Sequence, residues 1–400
     1  MRSENKPKAA LCFCNSNLDW GGGEKWHLES AVYFAGQGYK VFLAANPEGR
    51  LWRRAQKISG LELYPWKVGN LSFLNPFKKA AFNKFLTESG ITHLILNLPA
   101  DLKIGVRTVR ARHDNSPIKV YYRRGSAIPV RASFVNRHLF SALTAVIANS
   151  RETAACVRGA GVIAPERIKV IYNGLDAASF KAAEYPSGRR DAVSVDCPLI
   201  IGNAGRLSLQ KAQRYLLHMS AFLRRQSFPH RLIIAGDGEL RAELLALAEN
   251  LGLDVVPGRE ALPEKKPDNA SGVYFTGFMQ DLSWFWQRID LFVLSSVWEG
   301  FGYVLAEAML ARRALLAFDC NSMPELIKDG LNGCLLPPPR PEEAAHEVGE
   351  RLARQVMAMA GDISELQTMG EAGRKFCLEH FDQKAAMQKL EQLLLQHCQC

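Results

Sequence analysis

Strand-like apolar runs alternate with helical patterns along this chain, and the alternation runs twice. The first pass reads "AALCFC", a glycine cluster, "EKWHLESAVYFAGQG", "YKVFLAA", "THLILNL", "KVYY", "LTAVIANS" and "RIKVIYNG". The second begins after residue 196 with "PLIIGNAG", a helix from about Lys211, "RLIIAGDG", a helix from about Glu239, then "GVYFTGF", "LFVLSS" and "RRALLAFDC". Continuous β-rich runs between amphipathic helices imply parallel strands buried on both faces. The expected class is therefore α/β, with two doubly wound Rossmann-like domains. A polar stretch without clear period separates them, which predicts an N-terminal domain over 1–178, a linker over 179–196 and a C-terminal domain over 197–380. The segment 255–271 reads as a long polar loop.

Composition narrows the partners. The 400 residues are 48% apolar, enough for more than one core, and 50 Lys and Arg against 40 Asp and Glu leave a net charge of +10. That balance suits an anionic partner. Nine scattered cysteines, an odd count, fit a reducing compartment better than a disulfide framework. The tail "HCQC" has no matching second pair for a metal. The apolar run 9–14, behind Arg2, Lys6 and Lys8, is too short for a signal peptide. No apolar run is long enough to span a membrane. The expected location is cytoplasmic, peripheral at the inner face of the membrane.

The chemistry gathers at strand ends. In "WEGFGYVLAE", Glu299 follows the strand "LFVLSS", and a helix starting near Phe301 to Tyr303 carries Glu307 about one turn in. Ligands of open α/β sheets bind beyond the strands' carboxyl ends, and a helix N-terminus there suits phosphate. Carboxylates flanking such a site suit sugar hydroxyls, since they only accept hydrogen bonds. Taken alone, the pair is equally what a surface loop and a dipole-favoured first turn would show. After the second domain's first strand, "NAGRLSLQK" offers Arg206 and Lys211 as a diphosphate clamp. After the first domain's first strand, the glycines of "DWGGGEKW" allow close backbone approach to a ligand. Both domains thus offer loops suited to one nucleoside diphosphate in a cleft between them.

These motifs, in this order, resemble those of the GT-B glycosyltransferases of family 4, the large retaining group. "ERIKVIYNGLDAASF", "GRLSLQK", "IAGDGELRAELLALAENLGL" and the E-x7-E stretch through "GLNGCLLPP" are similar to the family's signatures. The resemblance covers nearly the whole chain and is strongest over 145–335. It implies two domains facing each other across the cleft, and a last helix, about 381–400, returning to the first. It implies that Gly205, Arg206 and Lys211 hold the donor diphosphate and that Glu299 lies against the donor sugar. Phe301, Gly302 and Tyr303 would offer backbone to the sugar and phosphates, Glu307 would bind ribose hydroxyls, and Gly22 and Gly23 would close on the diphosphate. It implies catalysis by Glu299, Arg206 and Lys211, a nucleoside-diphosphate sugar as co-substrate, and neither metal nor other cofactor.

The sequence departs from the family where many relatives place a sugar-contacting His. Here "VYYRRGSAIP" puts Arg123 and Arg124, the candidates for acceptor or sugar contact. Lys211 is followed by Ala212 where a glycine is usual. An oxidoreductase is disfavoured because "GGGEKW" lacks the G-x-G-x-x-G spacing. A nucleotide-sugar epimerase shares the shell but not E-x7-E, and a nucleic-acid binder lacks any reading motif. For the acceptor, residues 101–140 hold nine Lys or Arg against Asp101 and Asp114, and "FLNPFKKAAFNKFL" mixes Phe with Lys. An anionic glycolipid or glycan, as in lipopolysaccharide core synthesis, is the expected acceptor; a soluble sugar or small molecule is the alternative. The plain readings are a solvated basic face and a helix covering the first sheet.

Overall fold

The computed structural model describes residues 9–112, 117–178, 180, 192–257 and 272–396. The basic residues before Ala9, Asp114, most of the linker stretch, the greater part of the 255–271 loop and the "HCQC" tail lie outside the described residues. Internal contacts divide the chain into two units: Met1–Asn173 with Lys384–Cys400, and Gly174–Gln383.

The first unit holds strands β1 (Ala10–Asn15), β2 (Lys40–Ala45), β3 (Glu62–Pro65), β4 (His93–Leu96), β5 (Lys119–Arg124), β6 (Ala145–Ala148) and β7 (Ile168–Val170). They pair in parallel in the order β3-β2-β1-β4-β5-β6-β7. Its helices are α1 (Gly22–Gly36), α2 (Arg50–Ala55), α3 (Pro76–Glu88), α4 (Pro99–Arg110), α5 (Phe134–Ser141) and α6 (Arg151–Gly159). Alternate strand residues serve two cores. Cys12, Leu94, Tyr122 and Val146 meet α3 to α6 on one face, through Phe82, Val106, Leu139 and Val157. Leu11, Ile95, Tyr121 and Ile147 meet α1 and α2 on the other.

The second unit repeats the plan with β8 (Leu199–Ala204), β9 (His230–Ala235), β10 (Val255–Pro257), β11 (Gly272–Gly277), β12 (Leu291–Leu294), β13 (Ala314–Phe318) and β14 (Gly333–Leu336). Their parallel order is β10-β11-β9-β8-β12-β13-β14. Its helices are α7 (Arg214–Arg225), α8 (Arg241–Asn250), α9 (Ser283–Trp286), α10 (Tyr303–Leu310), α11 (Met323–Leu326), α12 (Ala345–Met359) and α13 (Ile363–His380). The last helix, α14 (Gln383–Gln396), completes the first unit: Met387, Leu390, Leu393 and Leu394 enter the core built on Leu11 and Phe13. The hydroxyls of Tyr33 and Tyr39 donate to Glu391 at 3.2 and 2.8 Å.

Each sheet has one point where the winding reverses, between β1 and β4 in the first and between β8 and β12 in the second. Loops leaving the carboxyl ends of these strands flank a crevice, the ligand position of open α/β sheets.

Four details differ from the pattern read in the sequence. Val255–Pro257, read as the start of the polar loop, pairs in parallel with β11 and forms the edge strand β10. Helix α7 begins at Arg214 rather than Lys211, because Ala212 takes a left-handed conformation with φ of 47°. Helix α8 begins at Arg241, two residues late. The Phe- and Lys-rich stretch divides into a 3-10 turn at Ser72–Leu74 and α3, whose Phe82 and Leu86 are buried against the first sheet. Helix α3 therefore covers the sheet, and of its large apolar side chains only Phe77, in the first turn, is exposed. Among the described residues, no helix is long and apolar enough to cross a membrane.

Candidate active site

In the second unit the loops after β8 and β12 are laced together. The Val297 amide donates to the Gln210 carbonyl at 3.0 Å, and Gln210 Nε2 donates to the Trp298 carbonyl at 2.8 Å. Ser295 Oγ donates to the Lys211 carbonyl at 2.7 Å. Between these contacts Lys211 Nζ forms an ion pair with Glu299 Oε1. Both side chains are largely withdrawn from water, which strengthens the attraction and raises the cost of breaking it.

The position of Glu299 is fixed from behind. Its amide donates to Asn321 Oδ1 at 3.3 Å, and Ser322 Oγ donates to its carbonyl at 3.3 Å. Burial, with the charge of Glu299 adding to it, pushes the nearby Cys320 thiol up to about 12, so it stays neutral. The aliphatic stem of Lys211 lies over Gly205, where an added Cβ would stand 3.2 Å from Lys211 Cε. Arg206 projects into solvent from the same loop, while its carbonyl accepts from Gln213 Nε2 at 3.0 Å.

Helix α10 points its N-terminus at this crevice. Its cap, Gly302, has φ of 77°, a conformation that costs other residues about 1–2 kcal/mol. The Leu305 amide already donates to the Gly302 carbonyl at 2.9 Å, and the positive end of the helix dipole favours an anion before it. Phe301 turns inward, its ring 5.2 Å from that of Phe381, leaving its backbone at the loop. Glu307 is half-buried, in the second turn of α10.

The first unit builds a second polar cluster at its own reversal point. Gly21 caps α1, and the helix opens with Gly22 and Gly23. A Cβ on Gly23 would meet Asn97 Nδ2 at 3.0 Å and Arg123 Nη1 at 3.5 Å. Glu24, buried beneath the glycines, accepts from the Asn15 and Asn17 amides at 3.0 and 3.1 Å. Arg123 is itself buried. Its Nη2 donates to Asn173 Oδ1 at 3.2 Å, its guanidinium lies 5.4 Å from the Trp26 ring centre, and a methyl on Gly125 would run into it. His27 Nδ1 donates to the Gly23 carbonyl at 3.0 Å; burial, helped by the charge of Arg123, lowers its pKa to about 3. Asp101, on α4, joins the β1 and β4 ends: it accepts from Ser16 N, Leu98 N and Trp66 Nε1. Burial raises its pKa to about 6 despite those bonds.

Sequence comparison fits both halves. Residues 20–179 match the family described as Glycosyltransferase Family 4, and residues 198–354 match Glycosyl transferases group 1. The chain belongs to the family 4 glycosyltransferases. Relatives include an alpha-D-kanosaminyltransferase of Streptomyces kanamyceticus, 29% identical over 68% of this chain and 64% of that protein. Another is an alpha-maltose-1-phosphate synthase of Mycolicibacterium smegmatis, 27% identical over 70% and 71%. A third is the lipopolysaccharide core biosynthesis mannosyltransferase LpcC of Rhizobium leguminosarum bv. viciae, 27% identical over 61% and 64%. The chain thus spans less than two thirds of the first and third of these proteins. Among solved structures, Anabaena Alr3699/HepE has a TM-score of 0.73 at 22% identity, covering 96% of this chain and 99% of that one. These neighbours share the GT-B fold.

In this family 4 glycosyltransferase, the structure brings Gly205, Arg206, Lys211, Glu299, Phe301, Gly302, Tyr303 and Glu307 to one crevice of the second unit. Gly22, Gly23 and Arg123 gather at the crevice of the first. Arg124 does not join them. Consecutive strand residues face opposite sides, and the Arg124 guanidinium donates to the Ile128 carbonyl. Sequence reasoning passed over Gln210, Asn97 and Glu24. Gln210 stands inside "GRLSLQK" and Glu24 directly after the glycines, so polar neighbours of the motif residues were the available signal.

Proposed function

We propose that this protein is a retaining glycosyltransferase moving a hexose-type sugar from a nucleoside-diphosphate donor to an anionic glycolipid or glycan. The observation that carries the reading is the Lys211–Glu299 pair at the reversal point of the second sheet, with Arg206 and the α10 N-terminus around it. Arg206, Lys211 and the first amides of α10 stabilise the charge that develops on the departing diphosphate. These groups do the work a metal would otherwise do. Glu307 accepts hydrogen bonds from the ribose hydroxyls. Glu299, held by Lys211, lies against the donor sugar. The sugar transfers by front-face displacement, and the departing phosphate takes the acceptor proton.

The acceptor reading draws on the basic run of α4 and β5, and LpcC is by name a lipopolysaccharide core enzyme. HepE was crystallised with UDP and glucose, which makes UDP-hexoses the first donors to try. The protein acts at the inner face of the membrane. The test is a panel of UDP-, GDP- and ADP-hexoses, with and without EDTA, followed by anomeric analysis of the product. Retained configuration and indifference to EDTA are expected; an inverted product overturns the mechanism.

A further inference from the structure

We infer that the first unit docks on an anionic lipid bilayer through two apolar prongs that flank the basic helix α4. The inference rests on the proposed acceptor only for its purpose, since the contact itself is independent of turnover. One prong is Leu71, Leu74 and Phe77, exposed by 71%, 59% and 82%. The other is Phe134 and Val135, exposed by 84% and 52%. Large apolar side chains scattered singly over a surface need no explanation, but clusters do.

The topology brings the prongs together. Strands β3, β4 and β5 are parallel, so the helices that follow them all begin at the sheet's carboxyl edge. Helix α4 lies between its neighbours: Arg112 donates to Asn83 Oδ1 of α3 at 3.0 Å, and Arg110 donates to Ser141 Oγ of α5 at 2.8 Å. The outward aim is built in. Asn75 caps α3 ahead of Pro76, which fixes Phe77 in the first turn, and Ser133 caps α5 directly before Phe134.

Charge selects the occupant. Arg107 and Lys103 sit over the Phe73 ring at 4.4 and 5.7 Å, and Lys78, Lys79, Arg131 and Arg137 border the prongs. Residues 117–141 contain no Asp or Glu, Asp101 is buried, and Glu88 lies at the far end of α3. Apolar side chains framed by cations fit acyl chains beneath anionic headgroups. A second copy of this chain would bring the same positive charge to the contact.

The test is co-sedimentation of the full-length protein with vesicles of phosphatidylcholine, alone or mixed equally with phosphatidylglycerol. L71S/L74S/F77S and F134S/V135S are compared with wild type, and nucleoside-diphosphate binding is measured on the same preparations. Wild type is expected to bind the mixed vesicles and not the neutral ones. Each variant should partition less, on the order of tenfold per side chain lost, while still binding nucleotide. Variants that sediment like wild type, or a wild type that stays in solution, overturn the inference. So does a concentration-dependent dimer that the variants abolish. If wild type binds vesicles but no nucleotide, the transferase reading fails and the docking surface stands.

Discussion

Lys211 and Glu299 form an ion pair across 88 residues of sequence, joining the loops of the adjacent strands β8 and β12. The pair links two residues whose expected tasks differ, one on phosphate and one on sugar. Each therefore fixes the orientation of the other's side chain before any donor arrives.

Removing one partner leaves the other charge buried. Lys211→Met and Glu299→Gln are each expected to lower stability by about 3–5 kcal/mol. The double variant should recover much of that loss. Chemical denaturation of all four proteins reads the coupling directly, and simple additivity of the two losses would contradict it.

Turnover should separate the same residues. Arg206→Ala and Lys211→Ala are expected to cost about 2.7–4 kcal/mol in transition-state stabilisation. Glu307→Ala should raise the donor KM with a smaller change in kcat. Steady-state kinetics at saturating donor decide this; near-normal kcat in Lys211→Ala removes the phosphate clamp.

Ala212 sits in a left-handed conformation that a Cβ disfavours. Ala212→Gly should raise stability by roughly 1 kcal/mol, the left-handed penalty less the extra entropy glycine loses on folding. The denaturation midpoint should rise with an unchanged slope. An unchanged or lower midpoint would mean that position 212 stores no strain.

Arg123 and Arg124 should prove unequal. Arg123→Gln is expected to weaken kcat/KM for an anionic acceptor, and Arg124→Gln to leave it nearly unaltered. Gly125→Ala keeps the charge but displaces the Arg123 guanidinium, so it should reproduce part of the first effect. Equal losses at both arginines count against a specific site.

Two buried groups in the first unit oppose each other in acid. Asp101 titrates at about 6 in the folded chain, so the folded state binds its proton more readily than the unfolded state. Its contribution is full below about pH 4 and is lost as pH rises towards 6. His27 titrates at about 3 when folded, so its contribution is present above about pH 6.5 and is lost as pH falls. Asp101→Asn should therefore make stability climb more steeply from pH 4 to 6, and His27→Gln should flatten the climb. Parallel profiles for both variants would refute the assignment.

The two doubly wound sheets were legible because a parallel strand buried on both faces leaves an unbroken apolar run, as in "LFVLSS" and "RLIIAGDG". Pairing between loops was not. The sequence puts Lys211 and Glu299 at strand ends, but β8 meets β12 only because β9, β10 and β11 are laid down on the other side. The meeting of Gly23, Asn97 and Arg123 depends on the same reversal in the first sheet. At Ala212 the glycine usual in the family is the signal of a left-handed turn, but alanine's high helix propensity masks it and draws the expected helix start back to Lys211. In α3, Phe77 and Phe82 share a composition but not an environment; helical phase sends one to water and the other to the core.

Helix α14 has a consequence for how the protein is made. Its Met387, Leu390 and Leu394 fill a core otherwise assembled from Leu11, Phe13, Trp26 and Ile147. On the ribosome, that apolar socket stays open while more than half of the polypeptide is still being translated. The unit begun first is finished last, so the nascent chain must keep a greasy surface shielded until residues 383–396 emerge.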